Sequence, residues 1–159
     1  MRSRLYQILH TGMFVPMVIL IACSSNEPSA RRPELLSQIA GIAADQLAEL
    51  VAGLKSAQAA GVSGAAQRAH LQRAQVEQSA IEAAAGDANA IINKYSGSTR
   101  RNRCLTEKAS LMEELVEFGV ETADIIHTMD LTGWGNDRVK RAWPARIKLQ
   151  MFERACQLM

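Results

Sequence analysis

Aromatic side chains are scarce, only 4% of the 159 residues. Surfaces that stack sugar rings are therefore not expected. Long apolar runs are missing too: the longest apolar stretch, Thr11 to Ala22, has 12 residues, against the roughly 20 a helix needs to cross about 30 Å of hydrocarbon. A permanent transmembrane span is disfavoured on length. Catalytic and cofactor signatures are also absent: no Cys-x-x-Cys-His haem attachment, phosphate-cradling glycine loop, Gly-x-Ser-x-Gly elbow or paired histidines at metal spacing. The expectation is a protein that is not an enzyme, with no catalytic residues, no metal and no cofactor.

What the chain does have is helical periodicity. Pro33 fits a helix start, where its missing N–H costs little, and Glu34 complements the dipole at that end. Leu36, Ile39, Ala43, Leu47, Leu50 and Leu54 then recur every three or four residues, which predicts an amphipathic helix ended by Gly61-Val62-Ser63-Gly64. Leu71, Ala74, Gln78, Ile81, Ala85, Ala88, Ile92 and Tyr95 mark a second helix. Its alanine-rich face favours close, coiled-coil-like packing on the first. Gln78 either sets register there or faces solvent.

Ser96 to Arg103 is polar, basic and contains glycine, and reads as a loop carrying Arg100, Arg101 and Arg103. A third helix is expected from about Leu105 to Met129, with Glu107, Glu113, Glu114, Glu117, Glu121 and Asp124 beside an apolar face of Leu111, Met112, Leu115, Phe118, Ile125 and Ile126. Thr132-Gly133-Trp134-Gly135-Asn136 reads as a turn whose asparagine caps the next helix. That fourth helix is basic, with an apolar stripe of Val139, Trp143, Ile147, Met151, Ala155 and Leu158, and Pro144 inside it should kink or split it. The predicted fold class is all-α, an up-down antiparallel bundle of about four helices.

One half of a metal motif is present. Asp124 and His127 stand three apart on one helical face, as in carboxylate-bridged di-metal bundles, but a second such pair is lacking because Gln67 occupies the position matching His70.

The amino terminus supplies an address. Arg2, Arg4 and His10 precede the apolar stretch Met13 to Ile21, in the order of an export signal. Leu20-Ile21-Ala22-Cys23 comes next, and it resembles the lipobox of bacterial lipoproteins. The resemblance covers Met1 to Cys23 and implies a signal peptide over 1–22, lipidation of Cys23 by diacylglycerol with palmitate-type acylation of the new amino group, and a lipidated tether over 23–32 ahead of a helical-bundle domain over 33–159. Two or more acyl chains are enough for stable membrane anchoring. Ser24 after the cysteine, in place of aspartate, points to the outer membrane over the inner one, with the domain facing the periplasm of the cell envelope. Ser24 to Arg32 reads as a flexible tether, at most about 30 Å long when extended.

Processing at Cys23 changes the accounts of charge and cysteine. Removing the 22 residues before it leaves 137, and takes two of the 18 basic residues with it, so 16 remain against 16 acidic ones. A mature chain with no excess positive charge is a poor nucleic-acid binder. Of three cysteines, one goes to lipid, leaving Cys104 and Cys156 either as a disulfide, in a compartment where disulfides persist, or as two buried thiols. An antiparallel pairing of the last two helices would bring them to one end.

In such a bundle the tether, the arginine loop and the carboxyl terminus share an end. Arg100, Arg101 and Arg103 then sit near anionic headgroups or simply in solvent. Trp134, at the other end, either touches a partner or folds back over the bundle. The function expected is non-catalytic protein–protein interaction, as an assembly or accessory factor of an envelope complex such as a secretion or conjugation machine. The alternative is a periplasmic inhibitor, an immunity protein or an exclusion lipoprotein of the conjugation type.

Overall fold

The computed structural model describes residues 31–62, 64–118 and 137–159. These form four helices and no strands: α1 (Arg31–Ala59), α2 (Gly64–Lys94), α3 (Gly97–Glu117) and α4 (Asp137–Leu158). Pro33 lies in the first turn of α1, as its chemistry allows. The helix stops through a Schellman motif: Gly61 takes φ +72°, its N–H reaches Gln58 O at 3.0 Å, and Val62 N–H reaches Ala57 O at 3.3 Å. Glycine supplies that left-handed step without a Cβ clash, and two orphan carbonyls are satisfied.

α1 and α2 form an antiparallel hairpin. α3 and α4 are also antiparallel, since Cys104 near the start of α3 is bonded to Cys156 near the end of α4. The two pairs meet through α2 and α4, which run parallel: Glu77 meets Trp143, and ten residues on Asp87 meets Lys148. In space the order is α1, α2, α4, α3, with lesser contact of α1 on α4 and of α2 on α3. α4 is thus the central helix. Its buried set includes Ala142, Ala145, Leu149, Phe152 and Cys156 as well as Val139, Trp143, Met151 and Ala155. Burial on opposite sides explains why it continues as one element through Pro144; packing outweighs the roughly 3 kcal/mol an interior proline costs.

α2 carries Ala74, Ala80, Ile81, Ala84, Ala88, Ile91 and Ile92 buried, a set wider than one stripe because both α1 and α4 pack on it. Small side chains permit that double approach. Gln78 is exposed and donates to Glu82 at 2.9 Å, so it faces solvent.

The expected loop over Ser96 to Arg103 is corrected. α2 ends at Lys94, only Tyr95 and Ser96 intervene, and α3 begins at Gly97 (φ +50°), eight residues before the predicted start at Leu105. Polar residues fill these first turns because their outer face is solvated: Arg101, Asn102 and Arg103 are exposed. Beyond Phe118, the predicted remainder of the third helix and the Thr132–Asn136 turn lie outside the described residues.

Among the described residues α1 is the one helix long and apolar enough, by composition, to cross a membrane. Here it packs on α2 and buries Leu35, Ile39 and Gln46.

Candidate functional site

Three features of the bundle bear on function: a locked end, a helix face and a cleft. The locked end holds the starts of α1 and α3 and the ends of α2 and α4. Cys104 and Cys156, 52 residues apart in sequence, are joined with Cα atoms 5.6 Å apart. This is the pairing anticipated from the sequence. Beside it, Arg100 is 1% exposed. Its Nε donates to Tyr95 O at 3.0 Å and its Nη2 to Ile92 O at 3.5 Å. These carbonyls are the unsatisfied, partially negative end of α2, where a cation is favoured and a buried one finds acceptors. Arg100 therefore caps a helix from inside the fold. It is withdrawn as a membrane-proximal residue, while Arg101 and Arg103 stand exposed at this end.

The helix face is on α3. Cys104, Leu111 and Leu115 point into the core, while Leu105, Met112 and Val116 are 45%, 51% and 77% exposed. Their spacing of seven and four places them on one side of the helix, adjacent to the buried stripe. Exposed Glu113, Glu114 and Glu117 flank them.

The cleft lies in the opposite half from the disulfide, between α1, α2 and α4, with a volume of about 500 Å³. Leu50, Gly53 and Leu54 of α1, His70, Ala74 and Ile81 of α2, and Ile147 of α4 line it. Its inner wall is polar. Trp143, 4% exposed, donates its indole N–H to Glu77 Oε1 at 2.9 Å. Arg73 binds the same oxygen at 2.7 Å and lays its guanidinium 4.4 Å from the indole centroid. Indole, carboxylate and guanidinium thus form one interlocked group, each satisfying part of another. Gln46 also lines the cleft, with its amide atoms covered from solvent. It is 6% exposed, and neither its Oε1 nor its Nε2 has a hydrogen-bond partner.

Sequence reasoning misses both features. Periodicity places Trp143 on an apolar stripe, and nothing in the local pattern shows that Glu77, 66 residues earlier, meets it. Gln46 does carry a signal, because it lies seven residues after Ile39 on the buried seam. A polar residue there is unusual in a helix whose other seam positions are apolar.

Cys23, Asp124, His127 and Trp134 fall outside the described residues. Among those described, no group of three or more His, Cys, Asp or Glu side chains is placed to hold a metal ion, and His70 lines the cleft with Gln67 exposed nearby. No protein-family model, no curated protein and no solved structure matches this chain.

Proposed function

We propose that the mature protein is a lipoprotein anchored through Cys23, facing the periplasm, and acting by non-catalytic protein–protein interaction as an assembly or accessory factor of an envelope complex. The observation that carries the reading is the exposed Leu105–Met112–Val116 line on α3. Exposed apolar side chains that recur on one outer helix face suit docking of a partner's amphipathic helix. The acidic flank of Glu113, Glu114 and Glu117 favours a partner helix edged with lysine or arginine. The Cys104–Cys156 bond is in keeping with an oxidising compartment, and the lipobox-like segment supplies the membrane.

Outer-membrane placement rests on Ser24. Arg101 and Arg103 on the tether side are suited to anionic headgroups, each contributing about 1 kcal/mol near a charged leaflet. Trp134, outside the described residues, is kept as a further partner contact.

Two experiments test this. Replacing Cys23→Ser should abolish both signal cleavage and membrane association; an uncleaved, membrane-bound variant would overturn the anchor. A photo-crosslinker placed at Met112 in living cells should capture a resident envelope protein, and Val116→Glu should abolish the adduct.

The acidic face also favours a second reading, an inhibitor, immunity protein or exclusion lipoprotein whose target arrives from outside. In that case Met112 captures nothing resident and gains an adduct only when the incoming protein is supplied.

A further inference from the structure

We infer that α3 is an oxidation-dependent element, whose first part, residues 97–110, docks on the bundle only when the Cys104–Cys156 bond forms. This stretch is poorly made for a helix that stands by itself. It includes Gly97, Ser98, Thr99, Asn102 and Thr106, which rank low in helix propensity. Ser96 at the N-cap makes no side-chain capping hydrogen bond, and the first turn holds no acidic residue. Arg100, Arg101 and Arg103 instead place positive charge at the end where the helix dipole is already positive. A segment of this kind becomes helical through what it packs on.

It packs on little. The buried residues of α3 are Arg100, Cys104, Leu111 and Leu115, so between Gly97 and Ser110 the one buried apolar side chain is Cys104. Leu105 is 45% exposed, Ala109 is exposed, and the half-buried Glu107 and Lys108 are charged. Thr106 bonds its hydroxyl to Asn102 O at 3.0 Å, within the same helix. Arg100 is held by carbonyls at the end of α2, just across the junction, and so fixes where α3 begins. Cys104 is the contact that reaches α4. Further on the helix differs, because Leu111 and Leu115 join the core.

The bond forms by thiol–disulfide exchange with an oxidised disulfide donor. One cysteine thiolate attacks the donor's disulfide, releasing a donor thiol and leaving a mixed disulfide. The other cysteine then attacks the first cysteine's sulfur and displaces the remaining donor thiol. The chain gives up two electrons and two protons, and the donor takes them as its two thiols. Once joined, Cys104 is fully buried and Cys156 is 7% exposed, so the bond is covered as soon as α3 is docked; the donor acts on the undocked form. One consequence rests on the partner reading above: the Leu105–Met112–Val116 line is complete only after oxidation, since Leu105 lies in the docking stretch.

The test is amide hydrogen exchange on the full chain purified in detergent, comparing wild type with a double variant, Cys104→Ala with Cys156→Ala. Wild type should protect residues 101–110. In the double variant those amides should exchange within about tenfold of an unstructured chain, while 80–92 in α2 keep at least about a hundredfold protection. Arg100→Met, with the bond intact, should still protect 101–110. Four results would overturn the inference: no protection of 101–110 in wild type; equal protection of 101–110 and 80–92 in the double variant, which makes packing sufficient; loss of both together, which makes the bond a clamp on the whole bundle; or loss of 101–110 in Arg100→Met, which gives the seating role to the arginine. In cells, the adduct from a photo-crosslinker at Met112 should form in wild type and be lost in the double variant. An adduct kept by the double variant overturns the control of the partner face by oxidation. One missing from wild type overturns the partner reading and leaves the exchange result standing.

Discussion

At the disulfide end of the bundle Arg100, Cys104, Ile39, Ile92, Met151 and Phe152 are each less than 2% exposed. In the other half, along the α1–α2 side, Leu47, Leu50 and Leu54 are only half buried, while Val51 and Leu71 are 47% and 45% exposed. Composition alone does not account for the difference, since the second half of α1 carries no fewer leucines than the first. The disulfide end has a covalent cross-link, an internal cap on α2 and a helix junction two residues long. The far side has a glycine turn, a cleft, and polar side chains on its inner wall. One end of the bundle is cross-linked and closely packed, and the other is looser and carries the cleft.

That contrast can be broken most forcefully at the disulfide. Replacing Cys104 and Cys156 together by alanine should lower unfolding free energy by about 4 kcal/mol, from the loop-entropy relation applied to their 52-residue separation. Urea denaturation measures it, and a loss below about 1 kcal/mol would mean the cross-link is not what distinguishes the two halves. Next is Arg100→Met, which strands the Tyr95 and Ile92 carbonyls and should cost about 2–3 kcal/mol. Arg101→Met and Arg103→Met, on the exposed face, should stay within about 0.5 kcal/mol, so the three arginines sort by burial in one denaturation series.

On the open side the effects shrink. Trp143→Phe removes the indole donor from Glu77 and weakens the stack with Arg73, for a loss of about 1–2 kcal/mol. The same variant shows by amide hydrogen exchange whether protection is lost around the cleft and kept around Cys104. Smallest is Gly53→Ala, which meets open space and should stabilise α1 by about 0.5–1 kcal/mol through helix propensity, read as a small rise in melting temperature.

Much of the fold is legible because helical periodicity is a local signal. The α1 face from Leu36 to Leu54, the glycine break and the second helix all come from spacing and from where a left-handed residue is needed. The start of α3 is hidden for the converse reason. Ser98 to Arg103 has no apolar period, and what makes it helical is non-local: Arg100 reaches back to α2, and Cys104 reaches across to α4. The candidate site is less legible still. Trp143 looks like one more apolar position, and the lone sequence clue to the cleft is a glutamine on the seam of α1.

By itself the sequence determined the helix periods, the glycine turn and the presence of just two cysteines beyond the lipobox-like one, because each depends on residues a few positions apart. Tertiary structure decided that α4 is central, that Arg100 caps α2 from within, and that Gln46 lies unpaired beside the Arg73–Glu77–Trp143 group. These depend on which helices share a face. Periodicity says that a face is apolar; only packing says which neighbour covers it and where the cover stops.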